Sequence, residues 1–198
     1  MSHINRHISP TQLFSIMAVA LMCLIVGCSK DDLTTNRYST KYPVRFYFEV
    51  ITSPELFNAV GNPGQFVTIR PLMGKVAIAN SQQETEYPLS QIGYKEFEYG
   101  LGGLIVGTSA TPNVNGGFDL VAYDLSCPNC DRQMFRLTVR DNGTALCKKC
   151  GITYDLNNFG WIMSVPENCI FDQPRGLYNY RVYYGNGATG PTINVNNY

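Results

Sequence analysis

From Tyr42 onward, apolar positions come in short bursts rather than in helical stripes. Val44 to Ile51 (VRFYFEVI) is aromatic and β-branched. Gly61-Asn62-Pro63-Gly64 is a turn cluster, and Phe66 to Arg70 (FVTIR) alternates after it. Leu104 to Gly107 and Phe118 to Leu125 read as further strands, then Phe135 to Arg140, Tyr180 to Tyr184 and Thr192 to Val195. Strands this short, divided by Gly, Asn and Pro, predict an all-β antiparallel sandwich or barrel. Two weak segments, Pro54 to Val60 and a turn near Tyr87 to Ile92, are the helix candidates. No repeat or linker divides residues 42–198, so one domain is expected there.

The start of the chain follows another pattern. Leu13 to Val26 (LFSIMAVALMCLIV) is apolar apart from one serine, with Arg6 before it and Gly27 after it. Positive, apolar, small is the order of a secretory signal peptide. The run is shorter than the roughly 20 apolar residues that a membrane span needs. Ile25-Val26-Gly27-Cys28 resembles the lipobox of bacterial lipoproteins. That resemblance implies a signal peptide over residues 1–27 and lipid attachment at Cys28, which becomes the mature N-terminus. More than one acyl chain at one site anchors stably, because each buried CH₂ contributes about 0.8 kcal/mol. The expected place is the cell envelope of a Gram-negative bacterium, on the outer membrane. Ser29-Lys30-Asp31-Asp32 resembles the export tag of surface-exposed lipoproteins, and reads equally as the solvated head of a linker. Residues 28–41 are polar without periodicity and are expected to be a flexible tether.

Removing residues 1–27 changes the chemistry that remains possible. It leaves 198 − 27 = 171 residues, enough for one real core. Lys plus Arg falls from 15 to 14 with Arg6, against 15 acids, so the net charge is −1. No basic patch invites nucleic acid. Both histidines, His3 and His7, are removed as well. The mature chain therefore has no Ser-His-Asp triad, no Cys-His pair and no histidine-ligated metal.

Cysteine carries the remaining chemistry. Cys127-Pro128-Asn129-Cys130 and Cys147-Lys148-Lys149-Cys150 are two CxxC pairs with sixteen residues, 131–146, between them. That spacing is typical of a zinc site. Two residues between cysteines let both thiolates of one turn face one ion, and a second turn completes the tetrahedron. Gly151 lets the backbone pass close to the sulfurs. The alternatives are two disulfides, since the chain is exported, or a thioredoxin-like pair, which needs a βαβ context absent here. Cys169, beside Ile170 and Phe171, is expected to be a buried free thiol. Asn142-Gly143 predicts a two-residue hairpin, which sets Cys147 opposite Thr138.

The segment from Phe118 to Val182 resembles the Rieske iron–sulfur domain. FDLVAYDLSCPNC is similar to that family's first ligand loop, and NGTALCKKCGITYDLNNFG to its second. Gln173-Pro174-Arg175-Gly176-Leu177 looks like the proline loop that covers the cluster. The resemblance implies a Rieske-like β-sandwich or barrel, with a metal-binding subdomain at about residues 124–176. Its ligands would be Cys127, Cys130, Cys147 and Cys150. A Rieske cluster uses two cysteines and two histidines. Here Asn129 holds the first histidine position and Cys150 the second. Ile152 replaces a serine that hydrogen-bonds the cluster in many members, while Tyr154 keeps an aromatic position.

Four thiolates suit zinc, a single iron or an all-cysteine [2Fe–2S] cluster. A closed zinc site does no chemistry, which implies a binding or scaffold protein rather than an enzyme. The alternative is electron transfer through iron on the same cysteines. The expected partners are the membrane, through the lipid, and an unidentified protein or redox partner.

Overall fold

The computed structural model describes residues 38–89, 97–188 and 190–198. The expected signal peptide, Cys28, the Ser29–Asp32 stretch and the first part of the expected tether lie outside the described residues.

The chain is all-β and antiparallel. One nine-stranded sheet has the order β4-β3-β2-β6-β7-β12-β13-β1-β5, and a four-stranded sheet has the order β11-β10-β9-β8. β1 (Val44–Glu49) shows why such strands form. Val44, Phe46 and Phe48 are buried while Arg45 is exposed, the period of two that a pleated strand imposes. β2 (Phe66–Leu72), β3 (Lys75–Ala79) and β4 (Glu84–Pro88) form a meander. β5 (Glu98–Tyr99) pairs with β1. β6 (Leu104–Pro112) pairs with β2 and β7 (Phe118–Asp124), and β12 (Asn179–Asn186) with β7 and β13 (Pro191–Asn196).

β6 and β7 separate two cores. Leu104, Val106 and Ala122 face a core with Phe46, Phe48, Leu56, Ile69, Ile78 and Val195. Ile105 and Tyr123 face the other way, toward Leu125, Ala145, Ile152, Tyr154 and Leu156. That second core holds the small sheet: β8 (Leu137–Val139), β9 (Thr144–Cys147), β10 (Thr153–Asp155) and β11 (Trp161–Ser164). All four of its strands lie between β7 and β12, which pair directly through Asn179 opposite Tyr123 and Tyr180 opposite Ala122.

Helix α1 (Pro54–Gly61) fills the first helix candidate. Ser53 caps it by accepting from the Leu56 amide at 3.3 Å, and Pro54 stands where a missing N–H costs nothing. Three expectations are corrected. The first strand stops at Glu49, where Val50–Thr52 tighten into a 3₁₀ turn. Tyr87 and Pro88 belong to β4, not to a helical turn, because Tyr87 pairs with Val76 and packs against Phe48. Leu89 is helical, and residues 90–92 of that candidate are outside the described residues. The hairpin register also moves by one. The Arg140 amide donates to Thr144 O at 2.8 Å and the Gly143 amide to Arg140 O at 3.1 Å, so the loop has three residues. Cys147 consequently faces Leu137, not Thr138. A three-residue loop needs only one left-handed position, and Gly143 supplies it at φ +72°. Asn142 instead uses its side chain, accepting from the Thr144 amide and hydroxyl.

Candidate metal centre

The first cysteine loop leaves β7 through a buried carboxylate. Asp124 accepts from the amides of Leu101 (2.6 Å), Gly102 (3.2 Å) and Ser126 (2.7 Å), and from the Tyr180 hydroxyl (2.7 Å). It thus ties the turn before β6, strand β12 and the start of the loop to one point. The second loop leaves β9 and turns back into β10.

The two loops share one backbone design. The Asp131 amide donates to Cys127 O at 2.9 Å, and the Gly151 amide to Cys147 O at 2.8 Å. Each donor follows the second cysteine of its pair, and each has left-handed backbone, at φ +50° and +76°. Gly151 is required twice over: its conformation favours glycine, and a Cβ there would stand 2.9 Å from Pro166 Cγ. Asp131 tolerates the conformation as few other residues do. The backbone amides of Cys130 and Asn129 favour the thiolate form of Cys127.

The loops bring together all four cysteines expected as ligands. Their sulfurs lie within 4.8 Å of one another. Cys127 Sγ to Cys150 Sγ is 3.7 Å and Cys130 Sγ to Cys147 Sγ is 3.8 Å. These are not disulfides, whose sulfurs stand about 2.05 Å apart, and the cysteines are free. Four sulfurs at about 2.3 Å from one ion stand about 3.8 Å apart at the corners of a tetrahedron. The group could therefore hold one metal ion. The electrostatics need a cation. Burial, then the charges of Cys127 and Cys150, push the Cys130 thiol up to about 12. Contact with Cys147, then burial, raises Cys127 as well. Four thiolates crowded this closely are stable only around a positive ion, so metal binding would release protons.

Residues outside the cysteines complete the surroundings. The Tyr154 hydroxyl lies 3.3 Å from Cys127 Sγ and accepts from Asn129 Nδ2 at 2.8 Å. Asn129 also joins the 173–177 loop, donating to Arg175 O (2.9 Å) and accepting from the Arg175 amide (2.8 Å). Asp131 accepts from Lys41 (2.5 Å), Tyr42 (2.8 Å) and Tyr178 (3.1 Å). The tether expected through residue 41 is thus attached to the domain from Ser39 on, whose amide donates to Asn179 O at 2.7 Å. Cys169 is half-buried rather than buried. With Cys130 and Cys150 it lines an open cavity of about 480 Å³, walled by Phe135, Pro166 and Phe171. The roles of Asn129 and Asp131 were missed from the sequence. One signal was available for Asp131: it occupies the position that Gly151 occupies in the second pair.

No protein family, no curated protein and no solved structure matches the chain. Fold and site together define the class that can be stated: an all-β protein with a four-cysteine group able to hold a metal ion.

Proposed function

We propose that this chain is a lipid-anchored protein of a Gram-negative envelope, whose exported domain carries one structural zinc ion on Cys127, Cys130, Cys147 and Cys150. The observation that carries the zinc reading is the sulfur spacing of 3.7 and 3.8 Å, which matches the edges of a zinc–thiolate tetrahedron. Such a site is closed and supplies folding energy rather than catalysis, so the domain acts as a binding or scaffold module. The lipid anchor rests on the Ile25–Cys28 lipobox and the signal-peptide pattern ahead of it.

The Rieske-like reading of the fold rests on order and on contacts. The strand before the first loop, the two CxxC loops and the proline loop follow one another as that family implies. The proline loop is hydrogen-bonded to the first cysteine loop through Asn129 and Arg175. The ligand set departs from the family, since no histidine occurs among the described residues.

One observation favours electron transfer through iron as a second reading. Cys130 and Cys150 are only half-buried and open onto the 480 Å³ cavity, where a redox partner could approach. A single iron suits four mutually close sulfurs better than a [2Fe–2S] cluster, which sets its sulfur pairs on separate irons. The test is the visible spectrum and metal content of protein isolated from its native host, because thiolate sites discriminate poorly between iron and zinc. About one zinc per chain without a visible band is expected. A coloured protein with iron and a reversible couple overturns structural zinc and establishes electron transfer.

A further inference from the structure

The small sheet ends in an edge that carries large apolar side chains outward. In β11, Ile162 stands opposite Tyr154 and turns into the core. Trp161 and Met163 turn out and are 65 % and 63 % exposed, and Val165, just beyond the strand, is 43 % exposed. Removing such side chains from water is favourable, so a soluble surface has no reason to cluster them along one edge strand.

The start of the domain lies beside this edge. The Ser39 amide donates to Asn179 O at 2.7 Å, and Asn179 Nδ2 donates to Phe159 O at 3.1 Å. Asn179, Phe159 and Trp161 line one open depression. The Arg181 guanidinium stacks over the Tyr38 ring at 5.4 Å. The chain therefore enters the domain next to Trp161. From Cys28 to Tyr38 is 38 − 28 = 10 residues, which reach at most about 36 Å when fully extended.

From these observations we infer that the β11 edge is a membrane-contact surface: Trp161, Met163 and Val165 sit at the lipid–water boundary of the bilayer that holds the chain. The inference rests on the lipid-anchored reading and adds to it an orientation, with the metal-binding sheet turned toward the lipid. The side chains suit that place. Indole has an apolar body and one N–H donor, and tryptophan collects where one end of a side chain is apolar and the other wet. A short tether raises the local concentration of lipid at this edge, so a small apolar surface suffices.

Trp161 is the chain's one tryptophan, so its emission reports on this edge alone. The test uses the full, host-processed chain in phosphatidylcholine vesicles, plain or with bromine near the top of the acyl chains. Emission is expected to fall by about half or more in the brominated vesicles, since interfacial side chains sit about 5–10 Å into the headgroup–acyl boundary. Aqueous iodide should quench it weakly. Met163→Glu, at a position already exposed, should restore emission in brominated vesicles without changing the melting temperature. An edge covered by a partner strand or a second copy gives equal emission in both vesicle types, and that result overturns the inference. The mass of the N-terminal peptide separates the two failures. Acylated Cys28 with unquenched Trp161 overturns the membrane-contact surface alone, whereas unmodified Cys28 overturns the anchor and this surface with it.

Discussion

Asn129 and Arg175 are joined by two hydrogen bonds: Asn129 Nδ2 donates to Arg175 O at 2.9 Å, and the Arg175 amide donates to Asn129 Oδ1 at 2.8 Å. One side chain thereby fastens the 173–177 loop to the first cysteine loop, and its remaining N–H reaches Tyr154 beside the Cys127 sulfur. Asn129→Ala removes all three bonds and should cost about 1–3 kcal/mol. Asn129→Asp keeps the acceptor but sets a carboxylate against Arg175 O and close to four sulfurs, so it should lose more. Urea unfolding of the metal-loaded protein and the rate of metal transfer to a chromogenic chelator check both. Equal chelator rates in all three proteins would show that the fastening does not protect the centre.

The four cysteines should behave as a set. Replacing any one of Cys127, Cys130, Cys147 or Cys150 by serine is expected to lower metal content and melting temperature together, by similar amounts, because structural metal binding is also folding free energy of order 10 kcal/mol. Cys169→Ser should leave both nearly unchanged, since Cys169 stands outside the four-sulfur group. Metal analysis and thermal melts of the five variants decide the assignment. A Cys130 variant with full metal and unchanged melting would remove Cys130 from the ligand set.

Where the sequence was legible, the signal was local. Alternation in Val44 to Glu49 marks a strand because one face is buried, and in Phe66 to Arg70 buried Val67 and Ile69 alternate with the less buried Thr68 and Arg70. The CxxC spacing marks the sulfur group because each pair is built by a single turn. What stayed hidden has three causes. In β3 (KVAIA), Val76, Ala77 and Ile78 are buried in succession, so no alternation marks the strand. β4 (ETEYP) and β11 (WIMS) are edge strands with few buried positions, so burial writes no period of two into them. The Asn129–Arg175 and Lys41–Asp131 contacts join positions 46 and 90 residues apart, and no local pattern encodes such pairings. The hairpin register slipped for a narrower reason. Asn-Gly fits both two-residue and three-residue loops, and the choice was made by burying Leu137, Ala145 and Cys147 on one face.

Asp124 should be intolerant even of its closest isostere. Three amides and the Tyr180 hydroxyl all donate to it. Asn offers one oxygen and an NH₂ group that meets these donors head-on. Asp124→Asn should therefore destabilise by about 1–3 kcal/mol, although it removes a buried charge. Gly100→Ala strikes the same point, since its Cβ would stand 2.4 Å from Asp124 Oδ2 at a φ of +69°. The two changes should be non-additive. Urea midpoints of the two single variants and the double variant at neutral pH measure this, and simple additivity would show that they act on separate points.

Glu55, like Asp131, is held below the ordinary carboxyl value and acts on the acid side of the stability curve. It is 2 % exposed and accepts from Ser53 Oγ (2.8 Å), Gln83 Nε2 (2.9 Å), Thr85 Oγ1 (2.5 Å) and Tyr87 Oη (2.9 Å). Burial alone would raise its pKa. Donors led by Thr85 outweigh burial, and the carboxyl is held below its ordinary value. The folded state then binds this proton more weakly than the unfolded chain does, so stability increases with pH between the two pKa values. The contribution is complete above the unfolded value of about 4.3 and disappears as pH falls through the lower folded value. Asp124 acts with the opposite sign. Its pKa is raised, mainly by burial, so its contribution declines as pH rises from about 3.9 through the folded value. Glu55→Gln should cost about 1.5–3 kcal/mol at neutral pH, where it loses a charged acceptor. Its urea midpoint should approach that of the unaltered chain as pH drops below about 4, because protonation then removes the same charge from both. Midpoints that stay parallel from neutral pH to pH 3 would mean that folding does not shift the Glu55 pKa.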